Sequence, residues 1–198
     1  MSKIILDLCG GTGAWSRPYV DAGYHVIVVD LNVKSNYGYA SPELVGVDVR
    51  KWSLMADTHP SFNVHGVLAA PPCTHFASSG ARWWAGKGDG PYLDGISIVD
   101  ACMRLILISK PKWWALENPV GRLINVIGHW DHVFNPCDYG DPYTKKTCLW
   151  GNFNMPEKTP VYPAGGSKMH TMPPSKERAR LRSVTPSGFA KAFFEANP

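Results

Sequence analysis

Several signatures are missing from this chain, and each absence removes a class of function. The five cysteines, at positions 9, 73, 102, 137 and 148, form no Cys-x-x-Cys pair. An odd and scattered set makes neither a disulfide framework nor a zinc clip, so a reduced, cytoplasmic setting is expected. The seven histidines build no His-Glu-x-x-His motif; His129 and His132 share a helical spacing but lack a third ligand, and no metal is expected. There is no Walker A loop and no G-x-G-x-x-G fingerprint. The apolar run in "MSKIILDLCGG" breaks at Asp7, too soon for a targeting segment. The longest apolar stretch, around "ACMRLILIS", is interrupted by Arg104 and cannot span a bilayer. Charge is sparse, at 18% of residues, with a mild net +4. That balance permits a nucleic-acid partner and equally a plain solvated surface. No repeat, low-complexity segment or linker divides the sequence, so a single domain over residues 1–198 is expected.

What is present is a series of short apolar runs punctuated by turns. "IILDL" reads as a buried parallel strand, "CGGTG" as a tight loop, "AWSRPYVDAG" as a helix stopped by Gly23, and "HVIVVDL" as a second strand. Further strands are predicted over "ELVGVDVRKW", ending near Asp48, and over "VHGVLAAPPC", "KWWALENP" and "TKKTCLWG". "YLDGISIVDACMRLILISK" has helical length and a broad apolar face. Residues 152–174 read as an irregular Pro- and Gly-rich loop, followed by two short helices over "SKERARLRSV" and "PSGFAKAFFEAN". Strands alternating with helices imply an α/β fold, a mostly parallel sheet with helices on both faces.

Ligands bind such sheets at the carboxyl ends of the strands, where Asp7, Asp30, Asp48, Cys73 and Glu117 all fall. The glycines of "DLCGGTG" let a backbone approach a cofactor, or simply make a tight turn. Asp30, at the end of the second strand and about 20 residues on, is placed to take ribose hydroxyls. Asp48 either reaches an adenine amino group or caps a turn. In "AAPPCTHFASSG" two prolines stiffen the approach to Cys73, which is either a strand-end nucleophile of lowered pKa or a packed core thiol. In "WALENPVGR", Glu117 leaves an apolar strand; it is either an acid kept protonated by its surroundings or an ordinary turn cap. Trp83 and Trp84 either close a loop over a ligand or pack. The basic "SKERARLR" either touches phosphate or presents a solvated face.

Taken together and in order, these stretches resemble the DNA cytosine methyltransferases that act on carbon 5. "DLCGGTGAW" is similar to that family's S-adenosylmethionine loop, "AAPPCTHFASSG" to its Pro-Pro-Cys motif, and "ALENPVGRL" to its Glu-Asn-Val motif, with Pro119 in place of valine. "DPYTKKTCLWGNF" resembles its later basic strand, and "RSVTPSGFAKAFFEAN" its C-terminal motif. The compact form resembles small methylase-like proteins encoded by phages. The resemblance implies a Rossmann-like class I S-adenosylmethionine-dependent methyltransferase fold and a covalent cysteine mechanism on cytosine in DNA. It implies catalytic roles for Cys73, Glu117, Lys145 and Lys146. It implies a cofactor site at Asp7, Leu8, Cys9, Gly10, Gly11, Thr12, Gly13, Trp15, Asp30, Leu31, Asp48, Val49 and Pro71. Substrate contacts are implied at Pro72, Ser78, Ser79, Asn118 and Thr147. Two departures stand out. Lysines 145 and 146 replace the family's arginines, and residues 152–182 are a short insertion where the family carries a target-recognition region. The same chemistry on dCMP or RNA is one alternative, and a non-catalytic nucleic-acid-binding relative that needs a partner is another. Amino-methylating enzymes typically follow Pro-Pro with an aromatic residue, whereas position 73 is cysteine.

Overall fold

Apolar strands and one long helix organise the chain around a seven-stranded sheet. A computed structural model describes residues 3–33, 42–54, 63–167, 172, 175 and 178–198. In chain order the strands are β1 (Ile4–Leu8), β2 (His25–Val29), β3 (Glu43–Val45), β4 (Val64–Ala69), β5 (Trp113–Pro119), β6 (His132–Phe134) and β7 (Thr147–Asn152). Their spatial order is β3-β2-β1-β4-β5-β7-β6. The first five are parallel, and β7 runs antiparallel to both β5 and β6. The described α-helices are α1 (Arg17–Asp21), α2 (Trp84–Lys87), α3 (Gly90–Ser109), α4 (Ile124–Ile127), α5 (Arg178–Ser183) and α6 (Ser187–Ala196).

Period-two alternation in buried strands sends side chains to opposite faces. Leu6, Leu8, Ile27 and Val29 pack with Leu105 and Ile106 of α3 on one face. Ile5, Val26 and Val28 pack with Tyr19 of α1 and with Phe189 and Phe193 of α6 on the other. Helices therefore cover both faces, as the alternating pattern implies. Among the described residues, no helix is long and apolar enough to cross a membrane.

Local differences from the sequence reading have physical causes. The third strand stops at Val45 instead of continuing toward Asp48, because the chain turns at Asp48, whose carboxylate accepts the Arg50 N–H at 2.9 Å. The first helix is only Arg17–Asp21, with Pro18 in its first turn where a missing N–H costs nothing. β6 and α4 were not anticipated; three or four residues carry no readable period. Residues 153–167 form no helix or strand and dock on the turn at 136–143 through Thr159, Val161 and Gly165. The start of the helix expected from Ser175, and part of 152–182, lie outside the described residues.

Candidate active site

Two loops meet at the carboxyl edge of the sheet. The first leaves β1 as Cys9–Gly13, with Cys9 at φ 57°, Gly11 at 49° and Gly13 at 63°. Left-handed residues at every second position wind this backbone tightly, and Gly13 N–H closes it onto the Gly10 carbonyl at 2.8 Å. Gly10 has no room for a side chain: a Cβ there would lie 2.4 Å from the Asp7 carboxyl carbon. Asp7 is 1% exposed, takes a hydrogen bond from the Ser16 hydroxyl and leaves Oδ1 unpartnered. Burial pushes its pKa up to about 7, opposed by Ser16 and reinforced by Asp30. Asp30 braces the loop from β2, accepting Gly11 N–H on Oδ2 at 3.1 Å and Asn32 N–H on Oδ1 at 2.7 Å. Thr12 and Cys9 are half-buried and Leu31 is exposed.

Other residues expected at the cofactor are placed differently. Leu8, Trp15 and Val49 are buried in the two cores, and Pro71 is also buried. Trp15 packs on Phe189 and Phe193 of α6. Arg50 grips both Asp48 oxygens, at 2.9 and 3.0 Å from Nε, and reaches across to Asp94 and Ser97 on α3. That grip holds the Asp48 pKa down at about 2. The turn-capping alternative for Asp48 thus has a visible geometry.

The second loop leaves β4 through Pro71 and Pro72 and places Cys73 first in a 3-10 turn, Cys73–His75. Glu117 lies in the adjacent β5, opposite Leu149 of β7. Because β7 runs antiparallel, the residues entering it arrive at this same edge, and Lys145 Nζ comes to 3.9 Å from Glu117 Oε1. Lys146 points elsewhere: it is exposed, and its charge acts on Cys148. Cys73, Glu117 and Lys145 come together at this edge.

Asn118 and Thr147, expected among the substrate contacts, are buried at 0% and 1% exposure. Both tie neighbouring backbone at the site. Asn118 Nδ2 donates to the Pro71 carbonyl at 2.9 Å, tying β5 to the proline turn. Thr147 Oγ1 donates to the Lys145 carbonyl at 2.8 Å. Ser78 is fastened to the chain after β5, its N–H and hydroxyl both donating to the Val120 carbonyl. Pro72 and Ser79 are exposed.

Of the two alternatives for Cys73, the nucleophile came with a lowered pKa, whereas the surroundings of the thiol push the other way. Burial is the largest influence and pushes the thiol up, as does Glu117, while Lys145 and Arg182 pull it down. Burial likewise raises Glu117, opposed by Lys145. The two are linked: while Glu117 is protonated, its charge no longer opposes the thiolate.

Two arginines were missed as site residues. Arg122 Nε donates to the His75 carbonyl at 2.7 Å, and its guanidinium lies over the rings of Trp84 (4.4 Å) and Tyr92 (3.8 Å). The signal was the Trp-Trp pair, which the structure separates: Trp84 packs in this stack, whereas Trp83 is 58% exposed beneath Arg82. Arg182 comes from α5 at the far end of the sequence, and its carbonyl accepts from Lys145 Nζ at 3.0 Å. Only its basic composition marked it.

The strand order, the single reversed strand β7 lying between β5 and the edge strand β6, and the glycine loop after β1 define a class I methyltransferase fold. No family model matches the chain. The type II methyltransferase M.DdeI of Desulfomicrobium norvegicum is 25% identical over 166 residues, which cover 72% of this chain and 38% of the relative. A solved structure of a candidate DNA modification methyltransferase, encoded within an E. coli prophage, superposes with a TM-score of 0.54 at 18% identity. That match covers 76% of this chain and 46% of the other. The magnesium protoporphyrin IX methyltransferase ChlM of Synechocystis PCC 6803, solved with bound SAM, matches at TM-score 0.44 and 11% identity over 75% of this chain and 69% of its own. The chain spans less than half the length of M.DdeI and of the prophage protein.

Proposed function

We propose that the chain is an S-adenosylmethionine-dependent methyltransferase that adds a methyl group to carbon 5 of cytosine in DNA. The observation that carries this reading is the convergence of Cys73, Glu117 and Lys145 at the sheet edge that also bears the Cys9–Gly13 loop. The likeness to M.DdeI supports a DNA methyltransferase. The left-handed loop and the strand-end Asp30 fit the cofactor: the loop offers bare backbone, and a carboxylate stands at the end of the next strand. Residues 9–13, Asp30 and the exposed Leu31 would hold it. Bound there, S-adenosylmethionine supplies an electrophilic methyl group.

The chain's own residues do the rest. Cys73, as thiolate, forms a bond to ring carbon 6. Glu117, whose neutral form burial favours, donates its proton to ring nitrogen 3 as that bond forms, so negative charge does not build on the ring. Carbon 5 thereby becomes nucleophilic toward the methyl group. Solvent water takes the carbon 5 proton, the electrons of that bond restore the carbon 5–carbon 6 double bond and expel the Cys73 thiolate, and the proton on nitrogen 3 returns to Glu117. Lys145 supplies positive charge beside both groups.

The test is tritiated methyl transfer to duplex DNA, single-stranded DNA, RNA and dCMP side by side, with covalent trapping on 5-fluorocytosine DNA. Methylated DNA and a trapped adduct are expected, both lost in Cys73→Ser. Trapping by that variant would overturn the nucleophile assignment, and transfer to dCMP or RNA alone would replace the substrate. Glu117→Gln is expected to lower kcat by roughly 10²–10⁴-fold. Because Gln does not ionise, this variant should also lose the descending alkaline limb of the pH–rate profile.

A further inference from the structure

Arg182 closes the last turn of α5, a six-residue helix reading "RARLRS". Lys145 Nζ donates to its carbonyl at 3.0 Å while standing 3.9 Å from Glu117 Oε1. One ammonium therefore ties the end of α5 to the catalytic carboxyl. The guanidinium is half-buried, and its charge reaches the Cys73 thiol. Lys145 and Arg182 thus both bring positive charge to the Cys73 thiol, while Lys145 alone stands beside Glu117, whose burial favours its neutral form. Partly buried charge in excess wants a counter-charge. Cytosine is neutral, and the anion fixed to it is the nucleotide phosphate. A guanidinium presents a planar fork that matches phosphate oxygens, whereas a lysine offers a point charge.

We propose that Arg182 binds the phosphate adjoining the cytosine seated over Cys73, with Lys145 as the residue that positions it. The proposal rests on the cytosine reading for the identity of the seated base. In this arrangement α5 holds the target nucleotide by its backbone, a contact that carries no sequence information.

The experiment measures binding separately from chemistry. Short single-stranded oligonucleotides carry one cytosine between degenerate flanks, with either adjoining phosphate left intact or replaced by neutral methylphosphonate. Affinity is read by fluorescence anisotropy with S-adenosylhomocysteine present. For the unaltered protein, one of the two replacements should weaken binding about tenfold, the scale of a charge-assisted hydrogen bond. Arg182→Gln should lose a similar factor on intact DNA and nothing further on that methylphosphonate. Arg182→Lys should recover part of the loss. Indifference of the unaltered protein to both replacements, additive losses in Arg182→Gln, or no DNA binding at all overturns the proposal. Coupling without methyl transfer or trapping overturns the cytosine chemistry and leaves the phosphate contact standing. Methyl transfer and trapping without coupling do the reverse.

Discussion

Asp7 shows how one carboxyl can serve the fold while remaining under tension. It sits where β1 becomes the glycine loop, with one oxygen bonded to Ser16 and the other without a partner. Burial raises its pKa from 3.8 to about 7. The sign of the resulting pH dependence follows from which state holds the proton. Between these two values the unfolded chain releases it and the folded chain keeps it. The stabilisation from protonated Asp7 is therefore fully present below the unfolded pKa and is lost as pH rises through the folded one. The slope from this single group approaches about 1.4 kcal/mol per pH unit. Asp7→Asn keeps the shape and can still meet Ser16, so urea unfolding of this variant between pH 4 and 7 should lack that slope. An unchanged slope would place the pH dependence elsewhere.

Elements matter here through the clamp between the turn after β4 and the chain after β5. The chain after β5 crosses the turn after β4 so closely that a Cβ on Gly121 would lie 1.9 Å from the Phe76 carbonyl oxygen. Arg122 then locks the crossing with one hydrogen bond and two aromatic faces. Together these contacts are worth about 2–3 kcal/mol. Arg122→Ala should free the Cys73 turn, speed alkylation of Cys73 and lower kcat about tenfold. Equal alkylation rates in the two proteins would show that the turn holds itself. This clamp also marks how far the sequence could be read. β1, β2, β4 and α3 were legible because each is a sustained apolar pattern bounded by turn residues. Cys73 and Glu117 stood out because each comes at the carboxyl end of an apolar run, within two residues of a proline. Arg122 and Arg182 did not, since cation–π stacking and a contact across the length of the chain leave no local period. Asn118 and Thr147 were legible as site residues, but their burial, which turns them toward the backbone, depends on the sheet pairing of β5 with β7.

At the scale of the whole molecule, the C-terminal helix connects regions that the sequence keeps far apart. Phe189 of α6 is fully buried and stacks on Phe134 of β6 at 3.9 Å between ring centroids. It meets Tyr139 at 5.4 Å and Trp15 at 5.8 Å. Trp15 in turn follows the Cys9–Gly13 loop by two residues, so one ring supports the antiparallel edge of the sheet and the candidate cofactor loop at once. Tyr19 reinforces the same link, its hydroxyl donating to the Asn197 carbonyl at 2.9 Å. Removing a buried aromatic ring from such a junction costs about 3–5 kcal/mol, because the neighbours collapse only partly into the cavity. Phe189→Ala should therefore lower the unfolding free energy by about that amount in a single cooperative transition. S-adenosylmethionine affinity, followed by calorimetry, should weaken in the same variant because Trp15 loses its backing. A stability loss below about 1 kcal/mol, or a two-step unfolding curve, would show that α6 is an appendage and not part of the common core.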